Sequence, residues 1–163
     1  TKSVEAVNYL AKKGKIIKTI VVLGPLSNEL NLESTENIKI VKYVPDLFEY
    51  IKKADLSINM VGYNTITEIY YSGIPAIIFP RKGSYEQNER ADIISKIRNN
   101  IIILYEDEIS SEFLTQKIIE CLDKNKCSPK KIVGTKNTAS IIQDFYDKFQ
   151  KQIKNEHLYH SSR

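Results

Sequence analysis

A chain of 163 residues with 24 basic and 20 acidic side chains, a net charge of +4 and 42% hydrophobic residues has the profile of one globular domain. It has no run of about 18 apolar residues to span a bilayer, and the amino terminus lacks a signal-peptide profile, so a cytoplasmic setting is expected. Cys121 and Cys127 lack metal-ligand spacing with a histidine and make no disulfide framework, so no metal and no cofactor are expected.

The elements follow in chain order. Ser3 to Lys13 reads as a helix with Val4, Val7, Leu10 and Ala11 on one face and Gly14 stopping it. Ile17 to Leu23 is a strand, Gly24-Pro25 a turn, and Asn37 to Tyr43 a second strand. Asp46 caps a short helix over Leu47 to Ala54. Strands at Leu56 to Met60 and Ala76 to Phe79 bracket a helix that ends at Gly73. A helix over Glu86 to Asn99, a strand over Ile101 to Leu104 and a helix over Ser111 to about Lys124 come next. A last helix, about Thr138 to Ile153, carries a stripe of Ile141, Ile142, Phe145, Phe149 and Ile153. Alternating strands and helices give an α/β fold with a parallel, doubly wound sheet.

The expected domain runs over 1–154, and 155–163 is a polar tail carrying His157 and His160. The basic surplus between Lys124 and Lys154 lacks aromatic interleaving and any groove-reading motif, so it reads as a solvated face and no nucleic-acid partner is expected.

The chemistry concentrates between Asp55 and Ala91, where polar clusters follow the carboxyl ends of two consecutive strands. In open parallel sheets that edge is where ligands bind. After the first strand, Gly62 is expected to give a backbone conformation closed to larger residues, and Asn64 to cap the helix. The first amides of that helix have no internal partner and, with the helix dipole, can seat a phosphate. Thr65 and Thr67 add hydroxyl donors, and Glu68, one turn in, can accept from vicinal hydroxyls such as those of a ribose. After the second strand, Ser84-Tyr85-Glu86-Gln87 fits a capping box. The spacing leaves two roles open for Gln87, a helix cap or a ligand contact.

The pattern Ala54-Asp55 … Gly62-Tyr63-Asn64-Thr65 … Glu68 … Gly73-Ile74-Pro75-Ala76 … Pro80-Arg81 … Glu86-Gln87 … Arg90-Ala91 resembles the C-terminal, donor-binding domain of family 28 glycosyltransferases, of the two-domain GT-B type. The wording is similar also to a branch of predicted glycosyltransferases of uncertain substrate. The resemblance covers about Thr19 to Tyr105, more loosely to Ile153, and implies a Rossmann-like fold and a nucleotide-sugar donor, with UDP the expected nucleotide. By that resemblance the backbone around Val44 faces the nucleobase, and the turn of Gly62, Tyr63, Asn64 and Thr65 holds the diphosphate. Glu68 takes the ribose hydroxyls, and Gln87 the donor sugar or diphosphate. Where the family often has His or Asp before this glutamine, the chain has Glu86, whose charge needs Arg81 or Arg90 beside it. Arg81, with its fixed charge and forked donors, is the expected phosphate partner.

The resembling domain also has a strand and Gly-rich loop ahead of the first helix, and a separate acceptor domain that supplies the general base. Neither is found here, so the catalytic residues stay unassigned. The expectation is the donor half of an inverting glycosyltransferase, needing an acceptor-domain partner or self-association and touching the inner membrane face peripherally. A nucleotide-sugar hydrolase or 2-epimerase, and a non-catalytic binding module, are the alternatives.

Overall fold

The computed structural model describes residues 2–15, 17–24, 33–105, 109–130 and 134–160, the side chains of 135 and 152–160 excepted. Two compact units divide the chain, Thr1–Lys130 and Lys131–Arg163.

The first unit runs α1 (Lys2–Lys12), β1 (Thr19–Val22), β2 (Ile38–Val41), α2 (Leu47–Lys53), β3 (Ser57–Met60), α3 (Tyr63–Ser72), β4 (Ala76–Phe79), α4 (Tyr85–Ile97), β5 (Ile101–Ile103) and α5 (Ser111–Leu122). All strand pairs are parallel. β1 pairs with β2, Thr19 opposite Ile38, and a three-stranded sheet has the order β3-β4-β5, Ser57 opposite Ala76 and Ala76 opposite Ile101. Each expected strand and helix of this unit is present, and the strands are shorter than their apolar runs suggest because only their central residues pair.

β4 shows why the fold is doubly wound. Its alternate side chains enter different cores, as the two-residue strand period requires. Ile77 packs with Ala6 and Leu10 of α1 and with Leu114, Ile118 and Cys121 of α5. Ala76 and Ile78 pack instead with Ile66 and Ile69 of α3 and Ala91 and Ile94 of α4. A strand covered on both faces must be apolar throughout, which is what Ala76 to Phe79 provides.

At the amino-terminal edge of this sheet three connections are clasped together. Gly73 ends α3 at φ +72°, and its carbonyl accepts from Cys127 N at 2.8 Å and from Asn100 Nδ2 at 2.8 Å. Arg98 is only 4% exposed and donates to the carbonyls of Ser128 (2.9 Å) and Tyr70 (2.5 Å), with its guanidinium over the Tyr70 ring. This buried cation has no carboxylate partner among the described residues; carbonyl dipoles and an aromatic face hold it. Cys121 is buried, and that burial pushes its thiol up to about 11, so it is chemically quiet.

The second unit contains α6, Gly134–His160. It starts before the expected Thr138 and continues through 155–160, the stretch read from sequence as tail. The Pro25 turn and the side chains of Ile153, His157 and His160 lie outside the described residues. No helix among them is long and apolar enough to cross a membrane.

Candidate functional site

The carboxyl edge of the three-stranded sheet gathers most of the residues singled out in the sequence. β3 ends at Met60, and Val61 N donates to Phe79 O at 3.3 Å, which keeps the end of β3 beside the end of β4. α3 then begins at Tyr63. Its N-cap is Gly62, not Asn64: Ile66 N already bonds Gly62 O at 3.0 Å, so Asn64 stands inside the first turn. Gly62 itself is extended, at φ −70° and ψ 146°, a conformation open to any residue. A Cβ there would meet only Thr65 Oγ1 at 3.8 Å, an ordinary contact. The expectation that Gly62 answers a backbone demand is therefore corrected. The expected cap fails because the chain turns helical as soon as it leaves the strand.

The consequence is an open helix terminus. α2, α4 and α5 are closed by Asp46, Ser84 and Ser110, each accepting from an amide of the first turn, whereas no side chain caps α3. The first-turn amides of Tyr63, Asn64 and Thr65 thus face outward at the positive end of the helix dipole. Thr67 does not add a donor there, since its hydroxyl is turned back onto Tyr63 O at 2.9 Å. Thr65 keeps its hydroxyl beside the turn.

Glu68 stands one turn further on, partly buried, and its carboxyl is held above the usual carboxylate range. Loss of water is the larger cause and the Asp46 charge the second. Asp46 follows Val44, which is itself buried in the loop between β2 and α2. The edge contact between Phe48 and Tyr71, with centroids 5.4 Å apart, joins α2 to α3. That packing brings the Val44 loop against the face of α3 that carries Glu68.

The second cluster opens α4. Ser84 Oγ accepts from Gln87 N at 3.4 Å, which is half of the expected capping box. The other half does not form, because Ser84 N bonds Arg81 O at 3.0 Å. Gln87 Oε1 instead accepts from Arg81 N at 2.8 Å and pins the loop after β4. Its Nε2 has no partner among the described residues, so the amide group is oriented with a double donor to spare. The Arg81 guanidinium is exposed and likewise has no partner among the described residues.

From the sequence, Arg90 belongs to the resembling pattern and is given one task, a charge able to compensate Glu86. In the structure it spans the two clusters. Nη1 donates to Val61 O at 3.0 Å, Nη2 pairs with Glu86, and the guanidinium lies over the Tyr63 ring, 5.4 Å from its centroid. A bond to a carbonyl 29 residues back leaves no local sequence signal. Around the clusters, Tyr43, Tyr63, Tyr85 and Tyr105 form an exposed set, each shortly after a strand end. No group of three potential metal ligands is found among the described residues. A shallow cavity of about 370 Å³ beside β5, lined by Ile102, Tyr105, Phe113 and Lys117 among others, contains none of the expected site residues.

An uncapped helix terminus, a fixed cation and a carboxylate at the carboxyl edge of a parallel sheet can hold a phosphorylated, hydroxyl-bearing ligand. Comparison with known proteins defines the class. The model of the glycosyltransferase family 28 C-terminal domain matches residues 5–145, and the chain belongs to that family. A relative from Thermotoga sp. strain RQ2, a UDP-N-acetylglucosamine--N-acetylmuramyl-(pentapeptide) pyrophosphoryl-undecaprenol N-acetylglucosamine transferase, is 33% identical over 145 residues, covering 86% of this chain and 42% of that protein. An uncharacterized glycosyltransferase of Methanosarcina acetivorans is 34% identical over 81 residues, covering 49% of this chain and 21% of that protein. Among solved structures, the glycotransferase of kitacinnamycin superposes with a TM-score of 0.61 at 17% identity, over 76% of this chain and 31% of that one. The parallel α/β architecture is thus that of GT-B C-terminal Rossmann-like domains, as expected from the sequence. The chain spans about two fifths or less of the curated relatives it matches.

Proposed function

We propose that this chain is the donor-binding half of an inverting glycosyltransferase and that its ligand is a UDP-sugar. The observation that carries the reading is the uncapped amino terminus of α3 beside Arg90, at the sheet edge where parallel α/β proteins bind ligands. On this reading the first-turn amides from Gly62 to Thr65 receive the diphosphate, and the Arg81 guanidinium adds a mobile second contact. Glu68 accepts from the ribose hydroxyls, the backbone at Val44 meets the base, and Gln87 Nε2 donates to the sugar or its phosphate. As the glycosidic bond breaks, charge grows on the leaving diphosphate, and pre-aligned amides stabilise it without reorganisation. The acceptor hydroxyl and the base that deprotonates it belong to a part of the enzyme these residues do not contain.

Titration calorimetry with UDP tests the reading: saturable heat is expected, and heat no larger than buffer dilution refutes it. UDP-N-acetylglucosamine against UDP-glucose then reports which sugar Gln87 favours. Free sugar or an epimer released without acceptor would instead mark a hydrolase or 2-epimerase.

A further inference from the structure

We infer that Arg90 is a positioning residue, which sets the α3 amino terminus relative to Gln87 by holding the end of β3. The inference rests on the donor-site reading above, and the bond it turns on joins α4 to a carbonyl 29 residues back in the chain.

An arginine is an expensive residue to put here. Its side chain is only 19% exposed, and it lies beside the positive end of α3, where the helix dipole disfavours a cation. Its carboxylate partner, Glu86, is 79% exposed, and a pair so hydrated contributes little. The contact that needs a long, forked, permanently charged side chain is the bond to Val61 O, backed by the Tyr63 ring. Val61 is fully buried and immediately precedes the open turn. A donor fixed on its carbonyl fixes where the next residues, Gly62 and Tyr63, leave the sheet.

Gln87 does the matching task on the other side. It lies three residues before Arg90 on α4, hence on the same face, and pins the loop after β4 through Arg81 N. One helix face therefore grips both loops of the candidate site by their backbones. The distance between the α3 amides and the Gln87 donor, which a sugar diphosphate must span, is set from α4. Positioning of this kind is sensitive to displacements of a fraction of an ångström.

The test uses the whole chain carrying Arg90→Met or Arg90→Lys, with two measurements. Amide exchange, followed residue by residue by NMR, reads the turn directly through Val61 N and Ile66 N, which bond Phe79 O and Gly62 O. UDP titration reads the consequence. In Arg90→Met, faster exchange at Val61 and Ile66 is expected, with no change at Ile78 in the sheet centre. UDP affinity should fall about tenfold as the first-turn amides of α3 lose their fixed placement. Arg90→Lys keeps one donor for Val61 O and should recover part of both. Unchanged exchange in Arg90→Met overturns the inference. So does Arg90→Lys with full UDP affinity but a turn as loose as in Arg90→Met, since charge alone would then matter. A parent chain that binds no UDP refutes the donor reading instead, and the exchange data still decide whether Arg90 holds the turn.

Discussion

Gly73 and Gly62 lie at opposite ends of α3, and the structure assigns them very different costs of substitution. At Gly73 a Cβ would sit 2.1 Å from the Cys127 carbonyl oxygen, at φ +72°. Alanine there meets left-handed strain of about 1–2 kcal/mol. The clash also pushes Cys127 away, breaking its bond to Gly73 O, worth about 0.5–1.5 kcal/mol net. Asn100 Nδ2 keeps Gly73 O but also donates to Asn125 O at 3.3 Å on the same connector, and losing that bond leaves a buried donor short of a partner at a further cost of about 1–3 kcal/mol. Gly73→Ala should therefore destabilise the chain by about 3–5 kcal/mol, or lower its melting temperature by roughly 6–20 °C. Gly62→Ala, with only a 3.8 Å contact and an extended backbone, should cost under about 1 kcal/mol. Urea denaturation of both variants at equal slope measures the difference. If Gly73→Ala melts within about 1 kcal/mol of the parent, the connector yields freely and the clasp is not structural.

Glu68→Ala should weaken UDP binding by about 1.5–3 kcal/mol through loss of charge-assisted hydrogen bonds, and unchanged affinity in a folded variant would remove its ribose role. Because burial raises the folded-state pKa of Glu68, the folded chain favours its protonated form. The stability this gives is present at low pH and is lost as pH rises through the folded-state value. Glu68→Gln should therefore melt above the parent at neutral pH, with the gap closing as pH falls, and UDP affinity of the parent should decline on acidification sooner than for an ordinary glutamate. A pH series by scanning calorimetry and titration checks both signs. Gln87→Glu keeps the acceptor for Arg81 N but exchanges the spare donor for a charge, so fold and UDP binding should survive while affinity for the UDP-sugar falls. Equal affinity for the UDP-sugar would leave Gln87 with a purely structural task. The purified chain should show negligible sugar transfer and should self-associate or bind an acceptor-bearing partner; a monomer by light scattering that transfers sugar would refute both.

What the sequence made legible was local. Asp46, Ser84 and Gly73 act at helix ends as their residue types predict, because a cap depends on three or four adjacent residues. The apolar run at Ala76 revealed the central strand, since burial on both faces leaves no polar position. Gly62 misled for a related reason: glycine after a strand suggests a special backbone, yet here it leaves an ordinary backbone with no side chain. Thr67 looked like a ligand donor, and only the completed helix shows its hydroxyl consumed by the preceding turn. Gln87 satisfied half of a capping box and spent its other group on Arg81, a choice fixed by how the loop after β4 closes. The Arg90 bond to Val61 and the Arg98 clasp join segments 28 to 30 residues apart, and no spacing rule reaches that far.

The tyrosines along the carboxyl edge give the candidate site its own optical label. The chain contains ten tyrosines and no tryptophan, so no tryptophan signal masks theirs. Tyr63, 71% exposed and stacked under Arg90, and Tyr85, 80% exposed at the start of α4, flank the two loops that a donor would touch. On the proposed donor reading, ligand entry between those loops would change the solvent and charge around both rings at once. A change in near-ultraviolet dichroism or tyrosine fluorescence, traced to each ring by Tyr63→Phe and Tyr85→Phe, therefore follows occupancy without an attached probe.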